Sequence, residues 1–252
     1  MSRRRFMNNK KKLVFFQQRF FPAGTYNWTV PAGCTSVDVF LVGGGGGARD
    51  TMPGGGGYTK TYKKDTTGYR DGEAIAVVPG EVIQIIVGKG GTGYTSSNGQ
   101  DGGLSQFKNS LYQALGGKGG SGSGSLSKGG DGGSGASAWY GVPGTDGSNG
   151  TGSGFTVGKG QGHTTRDFGE PGGKRNAGGG TCNRASVAKG GASDYTEGTG
   201  GSAYTSGDDV GFVSTVIQGG GGYGGGGSGA SYPNYVGNGG DGTVLIRGYK
   251  YE

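Results

Sequence analysis

The chain has 252 residues, of which 68 are glycine and only 30% are hydrophobic, so it cannot bury a large core of apolar side chains along its whole length. Its net charge of +7 comes entirely from residues 1–20, which hold seven basic residues and no acid, and a neutral remainder is a poor general surface for nucleic acid. No apolar stretch is long enough to span a membrane, so we expect no membrane insertion.

Residues 1–21 combine positive charge with aromatic side chains. Four exposed phenylalanines would form an adhesive patch, which favours a basic and aromatic docking arm over a disordered tail. The docking residues we predict are Arg3, Arg4, Arg5, Lys10, Lys11, Lys12, Phe15, Phe16, Phe20 and Phe21. Residues 13–16 are too short for the apolar part of a secretion signal, so we expect synthesis in a cytoplasm and delivery by assembly or lysis.

Residues 22–115 predict a β-structured body. Residues 26–30 and 36–42 have strand patterns and are separated by the turn residues Pro31, Ala32 and Gly33, which indicates a hairpin. Residues 74–78 and 82–87 form a second predicted pair across a Pro-Gly-Glu turn. Shorter strands are expected at 58–62, 104–107 and 111–115. No segment has a convincing helical period, so the fold class is all-β.

Residues 116–240 form a glycine-rich region, in which Gly116, Gly119 and Gly122 illustrate a period of three. This period indicates an extended left-handed helix with three residues per turn, and glycine at the contacts would let several such helices hydrogen-bond side by side. A flexible linker is the alternative, but the many aromatic residues argue against it. Residues 241–252 predict a closing strand of the β-body.

Four motifs in order resemble the glycine-rich domain proteins of bacteriophage tails and fibres. They are Trp-Thr-Val-Pro-Ala-Gly at 28–33, glycine runs at 43–47 and 54–57, Pro-Gly-Glu at 79–81 followed by residues 85–91, and Gly-Gly-Asp-Gly at 239–242 before an apolar strand. The resemblance covers residues 22–248. It implies a small β-sandwich-like body carrying polyglycine II-type helices at the periphery of a virion, as in tail-tip adhesins.

Polar and aromatic inserts between the glycine segments are the candidate receptor-binding residues. Aromatic rings can stack on sugars while Asp, Asn and Arg bond hydroxyl groups, so a host surface glycan or an outer-membrane protein is the expected receptor. The candidates are Trp139, Tyr140, Arg166, Asp167, Phe168, Asp194, Tyr195, Tyr204, Tyr232, Asn234 and Tyr235. For any single residue, an internal plug between glycine helices is at least as good an interpretation, so the set as a whole is better evidence than any member.

We therefore expect a structural virion protein that is assembled in the host cytoplasm. It would be a tail or fibre tip component that contacts other virion proteins and forms a homo-oligomer. The alternative is a purely architectural protein, such as a capsid decoration, a head fibre or a fibre connector, without receptor binding. An ice-binding or cell-wall glycine-rich protein is a third class, which the expected lack of a secretion signal disfavours.

Catalysis is not expected, because the residues form no recognisable constellation. The single histidine, His163, lies among glycines and lacks a metal-ligand spacing with Cys34 or Cys182. Adjacent Asp208 and Asp209 are typical of a solvated loop. Chance glycine matches to phosphate-binding loops open no helix, so we predict no catalytic residues, no metal and no cofactor.

Overall fold

A computed structural model describes residues 11–122, 128–137, 144, 147–152, 156–163, 176–180, 204–205, 216–217, 223–227, 229–230 and 235–252. These residues form β-strands and no helix, which confirms the all-β fold class. The strands are β1 (Leu13–Phe20), β2 (Gly24–Thr29), β3 (Ser36–Val42), β4 (Thr59–Tyr62), β5 (Ile75–Ala76), β6 (Val82–Val87), β7 (Ser105–Phe107), β8 (Gln113–Ala114), β9 (Tyr204–Thr205), β10 (Val216–Ile217), β11 (Gly229–Ala230), β12 (Tyr235–Val236) and β13 (Thr243–Tyr251).

Two antiparallel sheets dominate the described part of the chain. The first sheet has the order β1-β13-β3-β4, and β5 also pairs with β3. The second sheet has the order β2-β6-β7-β8. Two further strand pairs, β9 with β10 and β11 with β12, lie within the glycine-rich region.

The two sheets share one hydrophobic core. Alternate residues of β3, namely Val37, Val39 and Leu41, enter this core from the first sheet, because successive side chains of a strand point to opposite faces. From the second sheet, Trp28 packs against Phe107 with ring centroids 6.1 Å apart. The body is therefore a small sandwich, and its apolar residues are concentrated where the two sheets face each other.

The opposite face of β3 is also buried. Phe40 and Leu245 from adjacent strands form a second apolar cluster with Ala177 and Tyr223 of the glycine-rich region, and Phe21 packs against its edge. Burial on both faces explains why β3 begins with alternating residues and ends in an uninterrupted apolar run. The glycine-rich region thus folds back onto the first sheet.

The two predicted hairpins in the body were wrong. Strands β2 and β3 belong to different sheets, and so do β5 and β6. Each turn, at residues 31–33 and 79–81, carries the chain from one sheet to the other, and the two turns are joined by a hydrogen bond from the Val30 amide to the Glu81 carbonyl. Alternation of side chains shows which face is buried, but it does not show which sheet a strand joins.

Contrary to the sequence prediction, the N-terminal segment is not separated from the β-body at residue 21. Strand β1 lies beside β13 over its full length, from the pair Leu13 and Tyr251 to the pair Phe20 and Val244. Phe20 is only 6% exposed, and Phe16 packs against Trp28 with ring centroids 6.2 Å apart. Residues 13–20 are therefore part of the sandwich, because Phe16 and Phe20 pack into its core.

Candidate functional site

Residues 43–48 lie at the centre of a set of packed glycine segments. Their amide groups donate hydrogen bonds to three neighbours in rotation, all with N···O distances of 2.9 Å. Residues 43 and 46 donate to segment 54–58, residues 44 and 47 to segment 99–103, and residues 45 and 48 to segment 237–242. The partner therefore recurs every third residue, which is the rotation that three residues per turn would produce.

The carbonyl groups of the same residues accept hydrogen bonds from other neighbours. Segments 91–94 and 117–120 each donate twice, again at three-residue intervals, and Gly227 donates to the Gly46 carbonyl. Among the described residues, six segments thus surround residues 43–48. We call this assembly the glycine platform, and its members are residues 43–48, 54–58, 88–94, 99–103, 116–120, 224–227 and 237–242. The polyglycine II helix itself stays a prediction.

Glycine is required in the platform because neighbouring backbones approach so closely. A Cβ atom added to Gly45 would lie 1.9 Å from the Gly225 carbonyl oxygen, and one added to Gly46 would lie 2.1 Å from that of Lys118. The obstructing atoms are backbone atoms, which cannot rotate away as a side chain can. Hydrogen bonds between backbone groups thus stabilise this region, whereas the burial of apolar side chains stabilises a conventional domain.

Asp and Asn side chains join neighbouring platform segments. The Asp241 carboxylate accepts hydrogen bonds from the Gly90 amide at 2.9 Å and the Ala23 amide at 3.1 Å. Three residues earlier, the Asn238 side chain accepts one from the Gly93 amide at 2.8 Å. The same Asn-Gly-x-Asp-Gly spacing occurs at 98–102, where Asp101 accepts a hydrogen bond from Gly119. The sequence signal for these contacts is the three-residue spacing of Asn and Asp within the repeat, which the glycine period alone does not reveal.

Most of the predicted receptor-binding residues lie outside the described residues. Tyr204 is in β9 and Tyr235 is in β12, which place their backbones in short two-stranded pairs. The other nine candidates are Trp139, Tyr140, Arg166, Asp167, Phe168, Asp194, Tyr195, Tyr232 and Asn234. Strands β11 and β12 stand between platform segments 224–227 and 237–242 in the chain, so the platform holds both ends of this insert.

The predicted docking residues are divided by the structure. Lys11, Lys12 and Phe15 are exposed, whereas Arg3, Arg4, Arg5 and Lys10 lie outside the described residues. Phe16 and Phe20 pack into the sandwich core, and Phe21 contacts Tyr223 with ring centroids 5.0 Å apart. These three phenylalanines thus pack within the protein. Of the four predicted docking phenylalanines, Phe15 is the one that is exposed.

Phe15 belongs to an exposed apolar surface on the outer face of β1 and β13. Leu13 and Phe15 are 53% and 52% exposed, and their partners across the ladder, Tyr251 and Tyr249, are 46% and 55% exposed. Phe15 and Tyr249 meet edge to face at 5.7 Å. We call these four side chains the aromatic ledge.

The aromatic ledge and the glycine platform lie at opposite ends of the first sheet. Strand β13 begins at Thr243, directly after platform segment 237–242, and ends at Tyr251 in the ledge. At a rise of about 3.4 Å per residue, these two ends are about 27 Å apart. The molecule therefore has one end made of packed glycine backbone and another that exposes aromatic side chains.

His163 packs between the glycine-rich region and the body. Its ring stacks on Tyr69 at 3.9 Å with an interplanar angle of 20°. The neighbouring Gln161 side chain accepts a hydrogen bond from the Thr59 amide at 2.9 Å, so this loop is attached to β4. Within the described ranges, no group of three or more His, Cys, Asp or Glu side chains could hold a metal ion, and no helix is long and apolar enough to cross a membrane.

Residues 21–249 match the family model described as a glycine-rich domain. The chain belongs to the glycine-rich domain family. The match includes the platform, the second sheet and most of β13, and it begins directly after β1, so this strand precedes the family-defined part of the protein. No curated protein matches the chain.

Proposed function

We propose that this glycine-rich domain protein is a structural component of a bacteriophage particle, located at a tail or fibre tip, where it binds the host surface. The observation that carries the proposal is the enclosure of residues 43–48 by six hydrogen-bonded segments. A backbone fixed in this way holds the ends of its inserts in place. Binding through such inserts loses less conformational freedom than binding through a flexible chain.

The positions of the inserts in the chain support display. Trp139 and Tyr140 follow residues 128–137, and Asp194 and Tyr195 follow residues 176–180, both of which hydrogen-bond to the platform or to segments beside it. The opposite end carries the aromatic ledge and the exposed Lys11 and Lys12. This arrangement suits a protein that attaches to other virion proteins at one end and presents inserts at the other.

One observation favours the architectural alternative, in which the protein decorates a capsid or connects a fibre without binding a receptor. Tyr223, an aromatic residue of the glycine-rich region, is buried against Phe21 and lies under the Arg19 guanidinium, 4.7 Å from the ring centroid. It therefore fills space inside the protein. If the other aromatic inserts do the same, none of them is available to a receptor.

The location of the protein on the particle is the first test. Immunogold labelling of purified particles is expected to mark a distal tip of the tail or fibres. Labelling confined to the capsid would refute the tip assignment and would favour a decoration protein. Sedimentation of the purified protein checks the expected homo-oligomer, which a monomer across the accessible concentration range would contradict.

Binding to host cells is the second test. The full chain is compared with a variant in which Trp139, Tyr140, Asp194 and Tyr195 are changed to serine. A control variant carries serine at the exposed body residues Val78 and Leu111. We expect the wild type and the control to bind saturably and to compete with infection, and the insert variant to lose both properties while unfolding at the same temperature. Equal binding by all three proteins would contradict receptor binding through these inserts.

A further inference from the structure

Strand β1 leaves a row of backbone groups open at the edge of the first sheet. Lys12 exchanges both backbone hydrogen bonds with Glu252, at 3.1 and 2.9 Å. Bonded and non-bonded pairs alternate along an antiparallel ladder, so even-numbered residues of β1 direct their backbone groups towards β13. Leu13, Phe15 and Gln17 therefore direct theirs away from the sheet. Among the described residues β1 is an edge strand, because it pairs with β13 alone.

The side chains beside this edge are apolar and exposed. Leu13 and Phe15 belong to the aromatic ledge, together with Tyr249 and Tyr251 of the neighbouring strand. Edge strands in soluble proteins are usually short, charged along their length or interrupted by proline or a bulge. Strand β1 has eight residues, contains no proline and pairs with β13 without interruption. It thus has the properties of a strand that accepts another strand.

The charge around the edge indicates the chemistry of the partner. Lys11 and Lys12 are exposed where β1 begins, and residues 11–20 contain no acid. The nearby Glu252 carboxylate forms an ion pair with Lys250. Opposite charges across a strand pair are favourable, while like charges are destabilising. Strand β1 of a second copy contains no acid, so antiparallel pairing with it would offer Lys11 and Lys12 no group of opposite charge.

We propose that the outer edge of β1 binds an extended acidic segment of a partner protein, which adds to the first sheet as a further strand. Main-chain hydrogen bonds to Leu13, Phe15 and Gln17 supply the pairing. Alternate apolar residues of the partner cover the aromatic ledge, and its carboxylates lie near Lys11 and Lys12. The inference does not depend on the proposed virion role, since it follows from the edge, the ledge and the local charge.

The probe is a panel of fluorescein-labelled peptides about ten residues long, in which Asp or Glu alternates with Val, Ile or Phe. Fluorescence anisotropy with the full-length protein measures their binding. We expect saturable binding that weakens as salt is added, and no binding of matched peptides with lysine at the acidic positions. Binding that is lost when only residues 1–10 are removed, and is unaffected by changes in β1, would assign the site to the basic tail and overturn the proposal.

Gln17→Pro tests the edge directly, since it removes one outward amide without removing a hydrogen bond to β13. It is expected to weaken peptide binding by at least about tenfold. Gln17→Ala is the matched control, because it removes the same side chain and keeps the amide, and it should bind as the wild type does. Undiminished binding by Gln17→Pro overturns the proposal.

A second measurement uses only wild-type protein, so it holds even if Gln17→Pro fails to fold. The peptides are N-methylated at alternate residues, in two sets that block either one edge or the other edge of the added strand. One set is expected to lose binding and the other to keep it. Three results would refute an acidic strand as the occupant. They are equal binding of both sets, no binding by any acidic peptide, and concentration-dependent dimerisation of the protein that Gln17→Pro abolishes.

Discussion

Gly46→Ala tests whether close backbone packing stabilises the glycine platform. The new Cβ atom would lie 2.1 Å from the Lys118 carbonyl oxygen, whereas ordinary contact begins at 3.4 Å. Segment 116–120 would therefore have to move away by 1.3 Å. That movement breaks the hydrogen bonds that Gly117 and Gly120 donate to residues 44 and 47, and the bond that Lys118 accepts from Gly55.

The size of the effect follows from these three bonds. At about 1 kcal/mol net for each, their loss costs about 3 kcal/mol. Alanine also restricts the unfolded chain, which returns about 0.4–1 kcal/mol. We therefore expect the free energy of unfolding to fall by about 2–3 kcal/mol and the melting temperature to fall by about 4–12 °C. Urea denaturation and thermal melting by circular dichroism measure both.

Two other glycines provide matched controls. A Cβ atom at Gly72 would meet only the Tyr62 ring, at 3.1 Å, and Gly72→Ala should change stability by less than about 1 kcal/mol. Gly80 has a φ of +84° and open space around it, so Gly80→Ala isolates the cost of left-handed backbone, about 1–2 kcal/mol. If Gly46→Ala were no more destabilising than Gly72→Ala, the argument from close packing would be wrong.

Two further substitutions and one labelling experiment each probe a single residue. Asp241→Ala leaves the Ala23 and Gly90 amides without their acceptor and should lower the free energy of unfolding by about 2–4 kcal/mol. The stability of Asp241→Asn should lie between that of Asp241→Ala and that of the wild type. Equal urea midpoints for the three proteins would contradict this. Burial raises the pKa of the Cys34 thiol and shields it from reagents. In a Cys182→Ser background, a thiol reagent should therefore label the native protein far more slowly than the unfolded protein. Rapid labelling of the native protein would contradict this prediction. Hydrogen bonds from the Val78 amide and the Lys108 side chain hold the pKa of Glu81 below its usual range. Glu81 therefore stabilises the fold above its unfolded pKa of about 4.3 and loses this effect as the pH falls through the lower, folded value. The advantage of the wild type over Glu81→Gln should be constant from neutral pH down to about pH 5 and should decline as the pH falls below about 4.3; a constant difference across the acid range would count against this.

Several elements of the body could be predicted from local sequence. Strand β3 begins and ends where its apolar pattern does, and β13 coincides with the predicted closing strand, because both alternate or concentrate large apolar residues over a length that favours strands. The four phenylalanines near the N-terminus also indicated that the segment would not be fully exposed. Three of them are packed against the body, as this argument requires.

The pairing of these strands depended on contacts between residues far apart in the chain. Strand β1 joins residues at the two ends of the sequence, and no local pattern identifies β13 as its neighbour. The same limit explains the two incorrect hairpins, because a turn with a left-handed glycine can either reverse a chain within one sheet or carry it to another. Among the candidate site residues, the sequence could not distinguish the exposed Phe15 from the buried Phe20.

The sequence by itself determined that this protein is all-β, that it carries its charge at the N-terminus, and that its glycine segments have a three-residue period. These properties follow from composition and local spacing. Only the tertiary structure decided that six other segments of the described chain surround residues 43–48, that β1 closes the sandwich, and that the aromatic ledge lies at the end remote from the glycine platform. The physical reason is that backbone hydrogen bonds are chemically alike at every glycine, so their partners are selected by the packing of the whole chain.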